Sequence, residues 1–384
     1  MDTFFQANGR DFFVLGGQAH NSTTYQQRDL AVFWRALEAL NANTAEIPIY
    51  WEAIEPEEGR FDFRSADMLM EQARAHQKKL VLLWFGSWKN GGMRYAPAWV
   101  KRDTARFARV VSHEGNRLFV LSSHCTENLN ADRRAFRALM AHLRDANQDG
   151  TLLAVQVENE AGIAGRSYRD FGEAAEREYN APVPDSLIDT IEGAEGSALH
   201  AQWKSMGAPR GKGWGETFGV KNGAENLTAY SVASYINKIA EAGKAVCDIP
   251  MYTNAALDEN PWGWNLAGTN YTAGGPIPRL YEIWKHAAPA LDLLAPDIYF
   301  DCTGVFSVRF ASATAARKTR CSFPSPPASR EGIIRICSMP SENMARSDTR
   351  LSASNLYWMA MAMLSLSARH WWTAFVRSPA RCPC

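Results

Sequence analysis

Residues 156–160 (QVENE) set two carboxylates two positions apart around an amide, at the end of an apolar run. Paired carboxylates suit the cleavage of a glycosidic bond. One, with a raised pKa, protonates the leaving oxygen, and the other, about 5–5.5 Å away when configuration is retained, attacks the anomeric carbon. Alternation along a regular strand sends Glu158 and Glu160 to one side and Asn159 to the other. A twist or bulge at the strand end would let Asn159 and Glu160 act together. The rival reading is a solvated strand-to-loop junction, and on residue types alone the two stand level, since Glu at a strand end is common.

Such side chains need a frame. Residues 12–17, 44–51, 80–85, 152–158, 251–253 and 293–300 are apolar runs of strand length. Between them, residues 29–40, 66–77, 132–147 and a stretch marked by Val232, Tyr235, Ile236 and Ile239 carry apolar side chains at helical spacing. Strands alternating with helices, and apolar nearly throughout, mean a parallel sheet covered on both faces. Six strand signals suit a (β/α)8 TIM barrel missing its last two strands better than an open sheet. No nucleotide-binding fingerprint follows the first strand, which argues against the doubly wound alternative. The Gly-rich, polar residues 161–226 read as a long loop after the fourth strand, and loops at strand C-termini build the active sites of such barrels.

Across 384 residues, 46% of them hydrophobic, the formal charge is zero, so nothing global points to nucleic acid or an anionic membrane. No apolar run reaches the roughly 18 residues a spanning helix needs. The first residues show no basic n-region and no small-residue cleavage site, so a cytoplasmic location is expected of the chain as written. The charge is unevenly placed. Residues 1–301 hold 38 acidic and 30 basic side chains, whereas 302–384 hold 3 acidic and 11 basic ones, with five of the seven cysteines (Cys302, Cys321, Cys337, Cys382, Cys384). Cys125 and Cys247 are isolated and no His or Cys set has ligand spacing, so neither metal nor cofactor is expected.

The string LAVQVENEAG (residues 153–162) resembles the fourth-strand signature of the glycoside hydrolase family 35 β-galactosidases and, more loosely, that of family 42. Further segments agree in order: FFVLGGQAHNS (12–22) with the first strand, NTAEIPIYWEAIEPEEGRFDF (43–63) with the second, LVLLWFGSWKNG followed by APAWV (80–100) with the third, and LLAPDIYF (293–300) with the sixth. The resemblance covers nearly all of residues 5–301. It implies a retaining glycosidase of the clan A barrel type that removes terminal β-D-galactosyl groups from oligo- or polysaccharides, in a parent enzyme that is periplasmic or secreted. Glu160 becomes the acid/base and Asn159 the ligand of the hydroxyl beside the anomeric carbon. Glu158 and Glu46 join them as substrate-binding residues. Trp88, expected just past its strand end, is favoured as a sugar-stacking platform, whereas Trp51 and Trp84 are favoured as core. Tyr299 as orienter of the nucleophile stands level with Tyr299 as core, and His20 as pocket floor with His20 as a structural histidine. Pro48 and Ser87 replace a Tyr and a Glu of better known family members, which implies a changed sugar pocket. The expected partner is a β-galactoside carbohydrate, with no nucleic acid and no membrane, and the residues set no oligomeric state. A same-clan glycosidase with another sugar preference, or a non-catalytic sugar-binding pseudoenzyme, are the alternatives.

The family ends its seventh strand in a string resembling NPLFIPE, which carries the nucleophile, and nothing like it follows Phe300. A shift of reading frame between Cys302 and Phe310 would account for this. Residues 318–325 (KTRCSFPS) can be encoded so that a start at the third base of the first codon spells Asn-Pro-Leu-Phe-Ile-Pro-Glu. The same offset over residues 339–352 permits a string ending in the eighth-strand motif. The expectation is therefore an incomplete barrel over residues 1–301, with strand edges uncovered, and an out-of-frame tail over 302–384. Such a chain would lack the nucleophile and, with it, turnover. DNA sequence through these codons should read AAA ACC CGC TGT TCA TTC CCG AGT for 318–325, and codons incompatible with the shifted string would sink the idea.

Overall fold

The protein is described by a computed structural model at residues 5–7, 10–256, 258, 266–297 and 357–361. Along the chain run β1 (Val14–Gln18), α1 (Gln27–Ala39), β2 (Thr44–Tyr50), α2 (Arg64–Ala75), β3 (Lys79–Lys89), α3 (Thr126–Ala146), β4 (Leu152–Asn159), α4 (Val220–Lys244), β5 (Met251–Ala256), α5 (Tyr281–Ala287) and β6 (Leu293–Asp297). β1 to β6 lie side by side in chain order, each parallel to the next. This is the (β/α) repeat of a TIM barrel, present for six strands.

The strands are buried on both faces, which is why their apolar runs are nearly unbroken. Val14, Tyr50, Val81, Leu83, Phe85, Ala154, Tyr252 and Ala295 form one cluster on the concave side. Ile47, Ile49, Leu80, Leu82, Trp84, Val155 and Val157 point the other way into the helices. There α1 presents Leu30, Phe33, Trp34 and Leu37, and α3 presents Phe136, Leu139, Met140 and Leu143, at the three-and-four spacing that keeps side chains on one face. Each such aliphatic or aromatic side chain, fully buried, contributes about 1.5–3 kcal/mol.

Two sequence expectations are corrected. Residues 161–226 are not a plain loop: Glu173–Asn180, Asp185–Glu192, Ala198–Ser205 and Trp214–Phe218 are helices, and α4 begins at Val220. The short helices pack Leu187, Ile188, Ile191, Leu199 and Trp203 into the main core, so the polar segment holds enough apolar residues to fold back on the barrel. The β1 edge is likewise not bare. A strand, β7 (Tyr357–Met361), pairs antiparallel with β1, Tyr357 opposite Gln18 and Met361 opposite Val14. The rest of the expected out-of-frame tail, with the proposed nucleophile and eighth-strand strings, lies outside the described residues, as do 298–300.

The close fit of α4 against α3 depends on Gly243. A Cβ there would fall 2.5 Å from Phe136 Cε1 and 2.9 Å from Met251 Cε. Gly243→Val is expected to cost about 1–3 kcal/mol through overpacking, read as a lower urea midpoint at unchanged slope.

Candidate active site

The ends of β3 and β4 do not run in step. Trp84 pairs with Val157, and the next pair is Lys89 with Asn159, so five steps on β3 answer two on β4. The surplus throws residues 85–88 into an outward arc, a bulge of the kind that re-aims side chains beside active sites. Its main chain is aimed at Glu158: the Ser87 N–H donates to Glu158 Oε1 at 3.0 Å and the Trp88 N–H to Oε2 at 2.7 Å. Gly86 makes the arc possible, since a Cβ there would meet Glu158 Oε1 at 2.6 Å and Asp132 Oδ1 at 2.8 Å.

β4 answers with its own irregularity. Glu158 and Glu160 both have positive φ, +63° and +43°, a region that costs a non-glycine residue about 1–2 kcal/mol. Regular alternation therefore fails, and the two glutamates part company. Glu158 turns under the arc, wholly buried against Asp132 of α3. Asp132 also accepts from Trp84 Nε1 at 3.0 Å and from the Ser87 hydroxyl at 2.6 Å. Burial first, then the neighbouring Asp132 charge, raises the Glu158 pKa well above the carboxylate range, and burial raises Asp132 as well. Two carboxylates this close hold a proton between them.

Asn159 and Glu160 come together on the far side of the bend. Lys89 Nζ donates to Asn159 Oδ1 at 2.5 Å, and the Asn90 amide donates to Glu160 Oε2. The main chain repeats the pairing, Asn90 N–H to Asn159 O and Gly91 N–H to Glu160 O, each at 3.1 Å. From β5, Asn254 reaches two groups at once. Its Oδ1 accepts from the Glu160 N–H at 2.8 Å, and its Nδ2 donates to Asp297 Oδ2 at 2.7 Å. Asp297, the last residue of β6, lies in hydrogen-bonding contact with Glu160, and burial followed by the Glu160 charge pushes its pKa well up. Burial holds the Lys89 ammonium below its ordinary value, against the pull of Glu160 and Asp297. The cluster thus joins a carboxylate pair, a cation and three amides at the C-terminal ends of β3 to β6, where such barrels carry chemistry. It can hold a proton beside a polar substrate and bind hydroxyls.

The remaining sequence candidates are spread differently. Glu46 lies inside the barrel on β2, 2% exposed, with Oε2 lacking a hydrogen-bond partner and burial pushing its pKa up to about 8. Trp88 lies within β3 rather than past its end, and its ring is buried edge-on against Tyr235, 4.7 Å between centroids. It offers no open face for stacking. Trp51 and Trp84 are buried as expected of core. His20 is half-buried after β1, its carbonyl accepting the Thr23 N–H at 3.0 Å. Tyr299 lies outside the described residues. Sequence reasoning missed Lys89, Asn90, Asp132, Asn254 and Asp297. Lys89, Asn90 and Asp297 are polar residues at the ends of apolar strands, a signal that was available; Asn254 lies within β5 and Asp132 on a helix face, and neither gave one. Among the described residues, no group of three or more His, Cys, Asp or Glu side chains could hold a metal ion, and no helix is long and apolar enough to cross a membrane.

A family model described as β-galactosidase, glycoside hydrolase family 42, matches residues 23–221. A β-galactosidase of Xanthomonas manihotis is 26% identical over 204 residues, covering 50% of this chain and 31% of that protein, so the chain spans about a third of the length of the curated relative it matches. Among solved structures, the β-galactosidase of the Antarctic haloarchaeon Halorubrum lacusprofundi aligns at TM-score 0.48 and 15% identity, covering 74% of this chain and 40% of that one. A family 42 β-galactosidase of G. stearothermophilus aligns at 0.49 and 16%, covering 82% and 44%.

The Glu46 proton sets a pH dependence. Its pKa is raised from about 4.5 to about 8, so the folded protein keeps a proton that the unfolded chain releases. That contribution to stability is full below about pH 4.5 and is lost as pH climbs towards 8, and Glu158 and Asp132 act in the same direction. Urea midpoints should fall between about pH 5 and 8, and Glu46→Gln should flatten the slope.

Proposed function

This chain belongs to glycoside hydrolase family 42, and on that premise we propose that it carries the proton-donating half of a retaining β-galactosidase. The match falls to family 42 rather than to family 35, whose strand motifs the sequence resembles more closely in wording. The observation that carries the proposal is Glu160 itself. It stands at the end of β4, its main chain pinned by Asn254 and Gly91 and its carboxylate held by Asn90 and Asp297.

In this reading Glu160 protonates the glycosidic oxygen of a terminal β-galactosyl group and afterwards takes a proton from the attacking water. Asn159, anchored by Lys89, binds the hydroxyl next to the anomeric carbon. Asp297, hydrogen-bonded to Glu160, holds its carboxyl group in place for the transfer. Glu158 does not reach the sugar. It fixes the β3 arc from beneath, together with Asp132, and so positions Lys89 and Asn90. Contact between Glu160 and Asp297 is too close for Asp297 to be the nucleophile, since a sugar ring must fit between acid and nucleophile, about 5–5.5 Å apart. The nucleophile is assigned to the shifted NPLFIPE string, and turnover by the chain as written is proposed to be slight.

A gene with its frame restored should yield a protein that hydrolyses nitrophenyl β-galactoside, while the chain as written should not. In the restored protein, Glu160→Ala should lower kcat on lactose by about 10²–10⁴-fold. On dinitrophenyl galactoside, whose leaving group needs no proton, the loss should be far smaller in the glycosylation step. Equal losses on both substrates would remove Glu160 from the acid role, and hydrolysis of other aryl glycosides in preference to galactosides would remove the sugar assignment.

A further inference from the structure

Three tyrosines from three different segments of the chain stack at the mouth of the barrel. Tyr50, the last residue of β2, is sandwiched between Tyr25 at 4.4 Å and 18° and Tyr95 at 4.6 Å and 16°. Tyr25 follows β1 and Tyr95 follows β3, so the stack spans the C-terminal ends of the first three strands, the same end that carries Glu160. It is continuous with the carboxylate cluster. Lys89, bonded to Asn159, lies 4.9 Å above the Phe85 ring, and Phe85 is 5.4 Å from Tyr95 and 6.1 Å from Tyr50.

The central Tyr50 is covered and Tyr95 is half-buried, but Tyr25 is 49% exposed. An exposed surface tyrosine ordinarily turns freely. This one is held at both ends: its ring lies on Tyr50, and its hydroxyl donates to Glu52 Oε1 at 2.5 Å. Glu52 is itself held by Lys101 Nζ at 3.1 Å, which also donates to the Arg94 carbonyl at 2.7 Å. Tyr95 is tied down by Ser22 at 3.0 Å and by the Asn21 carbonyl at 3.1 Å. The outer face of Tyr25 is therefore a flat apolar surface of fixed orientation, rimmed by a carboxylate and an ammonium group. That is the chemistry that recognises a pyranose: CH groups against the ring face, hydroxyls to the charged rim. Immobilising the ring in advance also removes an ordering cost on binding.

We propose that Tyr25, with Glu52, forms a second sugar subsite, one that holds the hexose on the leaving-group side of the bond to be cleaved. This rests on the galactosidase reading above, which places the galactosyl unit at Glu160 and Asn159.

Calorimetric titration of the full chain with galactose and with lactose tests it. Lactose should bind about tenfold more tightly than galactose, about 1.4 kcal/mol. Tyr25→Ala should reduce lactose to the affinity of galactose while leaving galactose unchanged, and Tyr25→Trp, which keeps a flat ring, should retain the difference. Circular dichroism should show all three proteins equally folded. A lactose advantage that persists in Tyr25→Ala, or no advantage in the parent protein, overturns the subsite but leaves the galactosidase reading standing. Failure of galactose itself to bind overturns that reading and the subsite with it.

Discussion

The arrangement at the strand ends depends on one mismatch of backbone length, the surplus of β3 over β4 between the Trp84–Val157 and Lys89–Asn159 pairs. Had the two strands stayed in register, the Ser87 and Trp88 amides would have bonded along the ladder. Instead they bind the Glu158 carboxylate, and that bond holds β4 in the left-handed turn that frees Glu160 to face the other way. The strain of two glutamates at positive φ is offset by four hydrogen bonds to main chain and side chain from β3, the turn after it and β5. Such outliers persist only where their surroundings over-determine them.

Much of the frame was legible because it follows from periodicity. Apolar runs without alternation can be satisfied only by strands covered on both sides, and six of them in sequence with helices between leave few arrangements other than a barrel. Helix boundaries were displaced by a few residues, as at α3, which starts at Thr126 rather than near Asp132 because its first turn is polar. The helices within 161–219 were hidden by the prolines and glycines that separate them, which masked eight-residue amphipathic stretches too short to show a period.

The site was legible at Asn159 and Glu160 and illegible around them. Which way Glu158 points is decided by bulge geometry on a neighbouring strand about 70 residues earlier, and no local pattern in QVENE carries that information. Lys89, Asn254 and Asp297 converge from three strands, so their association is a property of strand order rather than of spacing. Trp88 misled for the same reason. Counted along the chain it clears the apolar run, but the arc folds it back beneath the main chain and against Tyr235.

The antiparallel seam between β1 and β7 differs in kind from the other joints. Every other joint in the sheet is closed by a crossover helix that dictates which strand arrives and in which direction. The seam itself is antiparallel. It is held by main-chain donors and acceptors, which any extended peptide possesses, and β1 beside it carries two adjacent glycines, Gly16 and Gly17, that discriminate little by shape. Among the described residues, five parallel joints are thus set by crossover helices and the seam by main-chain pairing. The strand that lies at the seam is selected by main-chain pairing more than by side-chain shape.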